Sequence, residues 1–328
     1  MKRIVFFLSI LGLLIFTAAC GSSSEETKAS SNSSTDDTTT ETEEVSGDAP
    51  TEIEVEHELG TTTVPVNPEK VIVFDYGTLE TLNELGVEVT GVPQGNLPPH
   101  LEKYESSSYE NAGTLFEPDF EKLATIEPDL IIVSGRSSKA YEELSELAPT
   151  IYMGVDATNY LESFQANVKT LGKIFSMEDK AQEKLDEVMA SIDEVKSAAA
   201  STEGKGLIIL TNDGSVSAYG PGSRFGFIHD ELGITPVDDT IEASNHGQSI
   251  GFEYIAEKNP DYLFVVDRNT IVGGEASAAK TLDNDLVNGT NAAKNDNIVY
   301  LDPYYWYVSG GGLTSVQEMA NQIKQAIQ

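Results

Sequence analysis

The sequence predicts an α/β protein of two Rossmann-like lobes joined by a single long helix, with a ligand cleft between the lobes. Three observations carry that prediction. Short apolar runs alternate with segments of helical periodicity along the chain. An eleven-residue pattern in the first half recurs in the second. Between the halves lies a stretch of helical spacing that holds no Gly or Pro from residue 176 to 203.

The N-terminus precedes the lobes and has its own character. Lys2-Arg3 is followed by an apolar run from Ile4 to Phe16 and then Thr17-Ala18-Ala19-Cys20. A charged start, an apolar run too short to span a bilayer and small residues before a cleavage point read as a secretory signal. Cys20 is the only cysteine, so it forms no intrachain disulfide. Its position resembles a bacterial lipobox, although Thr17 stands where an aliphatic residue is usual. Residues 1–19 are therefore expected to be a lipoprotein signal peptide. Residues 20–50, rich in Ser, Thr, Asp and Glu, are expected to form a lipidated Cys20 and a disordered acidic tether. That plan places the protein at the extracytoplasmic face of the cell membrane, held by a lipid anchor.

The N-terminal lobe is expected over residues 51–160. Val71-Ile72-Val73-Phe74 reads as a buried strand, and Leu79, Leu82 and Leu85 share one helical face up to Gly86. Val87 to Val92 is extended, Leu130-Ile131-Ile132-Val133 is a second buried strand, and Tyr141 to Leu147 is helical before Thr150-Ile151-Tyr152-Met153. Residues 161–203 form the helical connector region. Leu161, Phe164, Val168, Leu171 and Ile174 make one apolar face, and Ala181, Leu185, Val188, Ile192 and Val195 make a second. A rigid helical link predicts modest lobe closure. The C-terminal lobe, residues 204–328, repeats the grammar with strands at Leu207 to Leu210, Tyr262 to Val266 and Ile298 to Leu301.

The internal repeat aligns Phe120-Glu121-Lys122-Leu123-Ala124-Thr125-Ile126-Glu127-Pro128-Asp129-Leu130 with Phe252-Glu253-Tyr254-Ile255-Ala256-Glu257-Lys258-Asn259-Pro260-Asp261-Tyr262. In each copy Phe-Glu opens a short helix, Pro-Asp closes it and an apolar strand follows. An Arg comes after each strand, Arg136 in the first lobe and Arg268 in the second. Ligands of open α/β sheets bind beyond the carboxyl ends of strands, so both arginines are expected to face one cleft.

Charge sharpens the expectation. The 328 residues hold 54 Asp and Glu against 20 Lys and Arg, a formal net charge of −34 at pH 7. Such a chain, with no basic run longer than Lys2-Arg3, excludes nucleic acid as a partner. The cations divide into 16 Lys and only four Arg, and beyond the export segment Arg occurs at positions 136, 224 and 268 alone. Arg224 lies in the Gly/Pro-rich run Gly220-Pro221-Gly222-Ser223-Arg224, again after a strand. Arg donates through a planar fork, stays charged and stacks on electron-rich rings. Three of them in one cleft match a ligand of about three negative charges with aromatic rings, as an iron(III) tris-catecholate is. Interlobe or surface salt bridges are the plainer reading of each. His246 and Tyr307, also in loops, are competent iron(III) ligands or else hydrogen-bonding residues of the cleft lining. No Gly-x-Ser-x-Gly elbow or Walker loop occurs, and the four His are scattered, which argues against a hydrolase and against an all-protein metal cage.

These segments resemble the bacterial iron-siderophore substrate-binding lipoproteins of ABC importers, whose lobes are joined by a helical backbone. The resemblance rests on His57-Glu58-Leu59-Gly60-Thr61-Thr62, Val64-Pro65-Val66-Asn67-Pro68, Val71-Ile72-Val73-Phe74-Asp75, the two Pro-Asp repeats and Tyr305-Trp306-Tyr307-Val308-Ser309-Gly310-Gly311-Gly312. Within that family the chain is most similar to binders of petrobactin and related catecholates. The resemblance implies a cleft lined by Arg136, Arg224, Arg268, His246 and Tyr307. It also implies docking on an ABC permease through one acid per lobe, for which Glu121 and Glu253 are the matched candidates. The expected function is capture of a ferric catecholate siderophore by a monomeric, non-enzymatic receptor with no intrinsic cofactor, and its delivery to the permease. The alternatives are another cargo (haem, corrinoid, hydroxamate siderophore or metal ion) or a secreted siderophore esterase.

Overall fold

The computed structural model describes residues 50–328. The expected signal peptide, Cys20 and nearly all of the tether lie outside the described residues.

The described chain opens on an antiparallel hairpin of β1 (Glu52–His57) and β2 (Gly60–Pro65), whose mostly polar strands contain no apolar run. Only Val55 and Val64 are buried in it, so its residues alternate between core and solvent as half-exposed antiparallel strands do. The first sheet comprises β3 (Val71–Val73), β4 (Gly91–Val92), β5 (Glu110–Asn111), β6 (Leu130–Val133) and β7 (Thr150–Tyr152). It is wholly parallel, in the order β5-β4-β3-β6-β7. The second comprises β8 (Gly206–Asn212), β9 (Ser215–Tyr219), β10 (Gln248–Ile250), β11 (Tyr262–Asp267) and β12 (Ile298–Leu301), in the order β10-β9-β8-β11-β12.

The second half departs from a pure repeat at one point. β8, β11 and β12 run parallel, but β9 folds back antiparallel on β8, and β10 is antiparallel to β9. The cause is local. Asp213 (φ 46°) and Gly214 (φ 79°) form a two-residue turn with both residues in the left-handed region, the geometry that matches strand twist in a tight hairpin.

The repeat itself has a structural reason. The helices Phe120–Ile126 and Phe252–Lys258 each end on a left-handed residue, Glu127 (φ 52°) and Asn259 (φ 44°), and Pro then prevents further helix. The Asp that follows ties the turn to the entry of the neighbouring strand. Asp129 Oδ2 accepts from the Lys70 N–H at 2.8 Å ahead of β3, and Asp261 Oδ2 accepts from the Lys205 N–H at 2.9 Å ahead of β8.

The central strands β3, β6, β8 and β11 are buried on two faces, as parallel strands under helices must be. Ile72, Ile131 and Val133 point to an outer core in the first lobe, and Leu207, Ile209, Leu263 and Val265 do so in the second. The opposite faces belong to one shared core. Val73, Ile132, Ile208 and Phe264 join Phe164, Leu185, Ile192 and Val316 from the helices between the lobes. The long helix of the sequence expectation is Glu178–Ala199, whose 22 residues extend about 33 Å. The helix Tyr160–Ile174 precedes it, and the C-terminal helix Leu313–Ile327 packs along it.

The C-terminal helix also reaches the first lobe. Glu80, fully buried on the helix Tyr76–Leu85, accepts from the Ser315 N–H (2.8 Å) and Ser315 Oγ (2.5 Å) through one oxygen and pairs with His100 Nε2 (2.6 Å) through the other. A carboxylate from one lobe thereby satisfies the first turn of a helix from the other. Two glycines permit the approach. A Cβ on Gly77 would lie 2.8 Å from the Ser309 carbonyl oxygen, and one on Gly312 would lie 2.4 Å from the Gly77 carbonyl oxygen. Gly77→Ala is therefore expected to destabilise the fold by about 1–3 kcal/mol, despite the better helix propensity of Ala. Gly95→Ala, with nothing within 4 Å of the added atom, should stay within about 0.5 kcal/mol of the parent in urea unfolding.

Candidate functional site

In each sheet the strand order reverses direction between two neighbouring strands, β3 and β6 in the first lobe and β8 and β11 in the second. Chain segments leaving such a pair diverge and open a crevice at their carboxyl ends. Asp75 and Arg136 follow β3 and β6, while Asn212 ends β8 and Arg268 follows β11. All four line a single cleft of about 1060 Å³.

The segment that receives them is Tyr304–Val308, a wide turn of π type of the kind that recurs at functional sites. Its shape is set from both ends. Asp302 Oδ1 accepts from the Tyr304 N–H at 2.9 Å, Ser309 Oγ donates to the Tyr304 carbonyl at 3.0 Å, and the buried Trp306 donates from Nε1 to Gln322 at 3.1 Å. Tyr307 is left facing the cleft.

The three arginines converge on Tyr307. Arg136 donates from Nη1 to the Val308 carbonyl (3.1 Å) and from Nη2 to the Tyr307 carbonyl (2.5 Å). Arg224 donates to the same Tyr307 carbonyl at 2.7 Å, and Arg268 donates from Nε to the Tyr307 hydroxyl at 2.9 Å. Their guanidinium carbons stand 5.7, 4.3 and 5.9 Å from the Tyr307 ring centroid, within reach of its negative faces. Arg268 is held further by Asn212, whose Oδ1 accepts from Nη1 at 2.7 Å. Among the described residues none of the three forms an ion pair with a carboxylate, which sets aside the salt-bridge reading.

This crowding shows in proton affinities. Desolvation, and next the charge of Arg136, lower the pKa of Arg224. Burial pushes the Tyr307 phenol up, but the hydrogen bond from Arg268 and the charges of Arg224, Arg268 and Arg136 together outweigh it and bring the phenol below its usual value.

His246 lines the same cleft at its exposed rim, and its imidazole has no hydrogen-bond partner among the described residues. It is not part of the arginine cluster around Tyr307. Glu121 and Glu253 lie away from the cleft, exposed in the first turns of the two repeat helices. Sequence reading missed Lys139, an exposed cation three residues beyond Arg136 that also lines the cleft, and Asn212, which orients Arg268. The hairpin signal Asn212-Asp213-Gly214-Ser215 marks where Asn212 ends its strand.

Comparison with known proteins fits this geometry. The sequence profile of the family described as periplasmic binding protein matches residues 71–305. The chain belongs to that family. It is 48% identical over 281 residues to the petrobactin-binding protein of Bacillus subtilis (strain 168), covering 84% of this chain and 89% of that one. The crystal structure of the Bacillus protein superposes with a TM-score of 0.83, covering 84% of this chain and 99% of that chain. The periplasmic catecholate-siderophore binding protein of Vibrio cholerae, 36% identical, gives a TM-score of 0.80 over 84% of this chain and 99% of its own. As members of this family, these relatives are binding proteins.

An ultraviolet difference titration should detect a phenol that ionises below the usual tyrosine range. Tyr307→Phe should remove that component, and Arg268→Ala should move it to higher pH, because a lost cation and donor favour the neutral phenol.

Proposed function

We propose that the protein is a non-enzymatic, extracytoplasmic receptor of an ABC importer that captures a ferric catecholate siderophore of petrobactin type. One observation carries the reading. In a chain of net charge −34, three arginines without carboxylate partners among the described residues surround one tyrosine in the cleft between lobes. Uncompensated cations in a partly desolvated site favour an anion, and forked, stacking guanidiniums favour one bearing aromatic rings and chelating oxygens. The names of the Bacillus and Vibrio relatives support the same cargo. A neutral or cationic hydroxamate chelate would leave the arginine charge uncompensated.

In this reading Arg136, Arg224 and Arg268 bind the ligand's anionic oxygens. Tyr307, with its lowered phenol, and His246 at the rim supply iron ligands where the chelate leaves positions open. Lipidation at Cys20 holds the monomer to the membrane, and the acidic tether gives it reach. Glu121 and Glu253, at equivalent points of the two lobes, dock on the permease. Among the described residues no helix is long and apolar enough to cross a membrane.

Trp306 is the only tryptophan and lines the cleft, so it reports on occupancy. Titration with ferric petrobactin, or with a ferric dihydroxybenzoate complex, should quench its emission saturably, whereas a ferric hydroxamate should not. Arg136→Ala and Arg268→Ala should each weaken binding about 10- to 100-fold, the loss of a charge-assisted hydrogen bond. Saturable binding unchanged by all three arginine substitutions would remove the proposed site.

A further inference from the structure

Single apolar side chains on a protein surface are ordinary, so an exposed aromatic residue becomes informative through its place, here the mouth of a binding cleft. Phe116 is 67% exposed, the largest exposure of any large hydrophobic residue in the described chain. It is also the one member of that exposed set that lines the cleft.

The loop that carries it is built to hold it there. Gly113 (φ 108°) pairs with Pro118 in an isolated antiparallel bridge, and a Cβ on Gly113 would come 2.5 Å from the Glu117 carbonyl oxygen. Thr114 closes the turn. Its N–H donates to the Glu117 carbonyl at 2.9 Å, and its Oγ1 accepts from the N–H groups of Phe116 (3.2 Å) and Glu117 (2.9 Å). Leu115 points into the shared core, so the adjacent Phe116 faces outward over the opening. The backbone of this turn is therefore fixed before any ligand arrives, which lowers the entropic cost of a contact made by this residue.

We infer that Phe116 is a specificity-determining residue that stacks on an aromatic ring of the bound chelate at the cleft mouth. The inference rests on the proposed function and extends it from charge to ring recognition. The arginines attract the anionic oxygens at the floor, whereas Phe116 contacts the face of a ring. Glu117, exposed beside it and also lining the cleft, disfavours a bare anionic edge at this point. The loop thus meets a ring face and leaves the chelating edge to the arginines.

The test compares Phe116→Ala, Phe116→Leu and Phe116→Tyr in the full chain, titrated with a ferric dihydroxybenzoate complex and followed by Trp306 emission. Loss of one aromatic contact predicts affinity about three- to ten-fold weaker for Phe116→Ala. Phe116→Tyr should retain parental affinity, and Phe116→Leu should recover only part of it, since apolar area without a π-face does not stack. An exposed position leaves unfolding midpoints unchanged in all three. Parental affinity in Phe116→Ala would overturn the inference while leaving the proposed function standing. The same affinity accompanied by reduced iron uptake in cells would overturn it in favour of a permease contact. Failure of the parent protein to bind any aromatic ferric chelate would overturn both.

Discussion

Like charges brought together in a half-buried cleft repel one another, and the manner in which Tyr307 relieves that repulsion governs the rest of the site. Its carbonyl accepts from two guanidiniums, its hydroxyl accepts from the third, and its ring lies near all three. None of these acceptors carries a full negative charge, so the cations are oriented without being neutralised. A carboxylate in the same place would have held them more tightly and cancelled one of the three charges offered to a ligand. Partial satisfaction of this kind keeps a site both ordered and available.

The wide turn at Tyr304–Val308 can play that part only if it is itself fixed, and its support comes from both lobes. Ser309 and Gly312, which follow it, meet the helix Tyr76–Leu85 of the first lobe through Gly77, and the buried Glu80 accepts from Ser315 one turn later. Arg136 crosses from the first lobe to the carbonyls of Tyr307 and Val308. With a core that runs from one inner sheet face through the connector helices to the other, the two lobes share more than a hinge. The walls of the cleft are thereby held by contacts that cross between the lobes.

Much of this was legible in the sequence because the chain states it twice. The Pro-Asp repeat fixed the paired helices and strands, and the structure explains it through Asp129 and Asp261, each tied to the start of the neighbouring strand. Arg136 and Arg268 were readable as equivalent positions for the same reason. The hairpin Glu52–His57 with Gly60–Pro65 was not, since its strands are mostly polar and follow no apolar run. Lys139 and Phe116 were missed because an exposed cation and a loop phenylalanine carry no periodicity. Their significance is a matter of which cavity they border.

By itself the sequence determined the class of fold, the two-lobed organisation and the scarcity of arginine, since apolar periodicity, repetition and residue type are local properties that survive without coordinates. Only the tertiary structure decided that three arginines far apart in the chain meet at one tyrosine, that none of them has an acidic partner among the described residues, and that His246 remains at the rim. Those facts depend on distances across a sheet and between lobes. Strand order sets such distances, and strand order is fixed by long-range pairing that no single segment specifies.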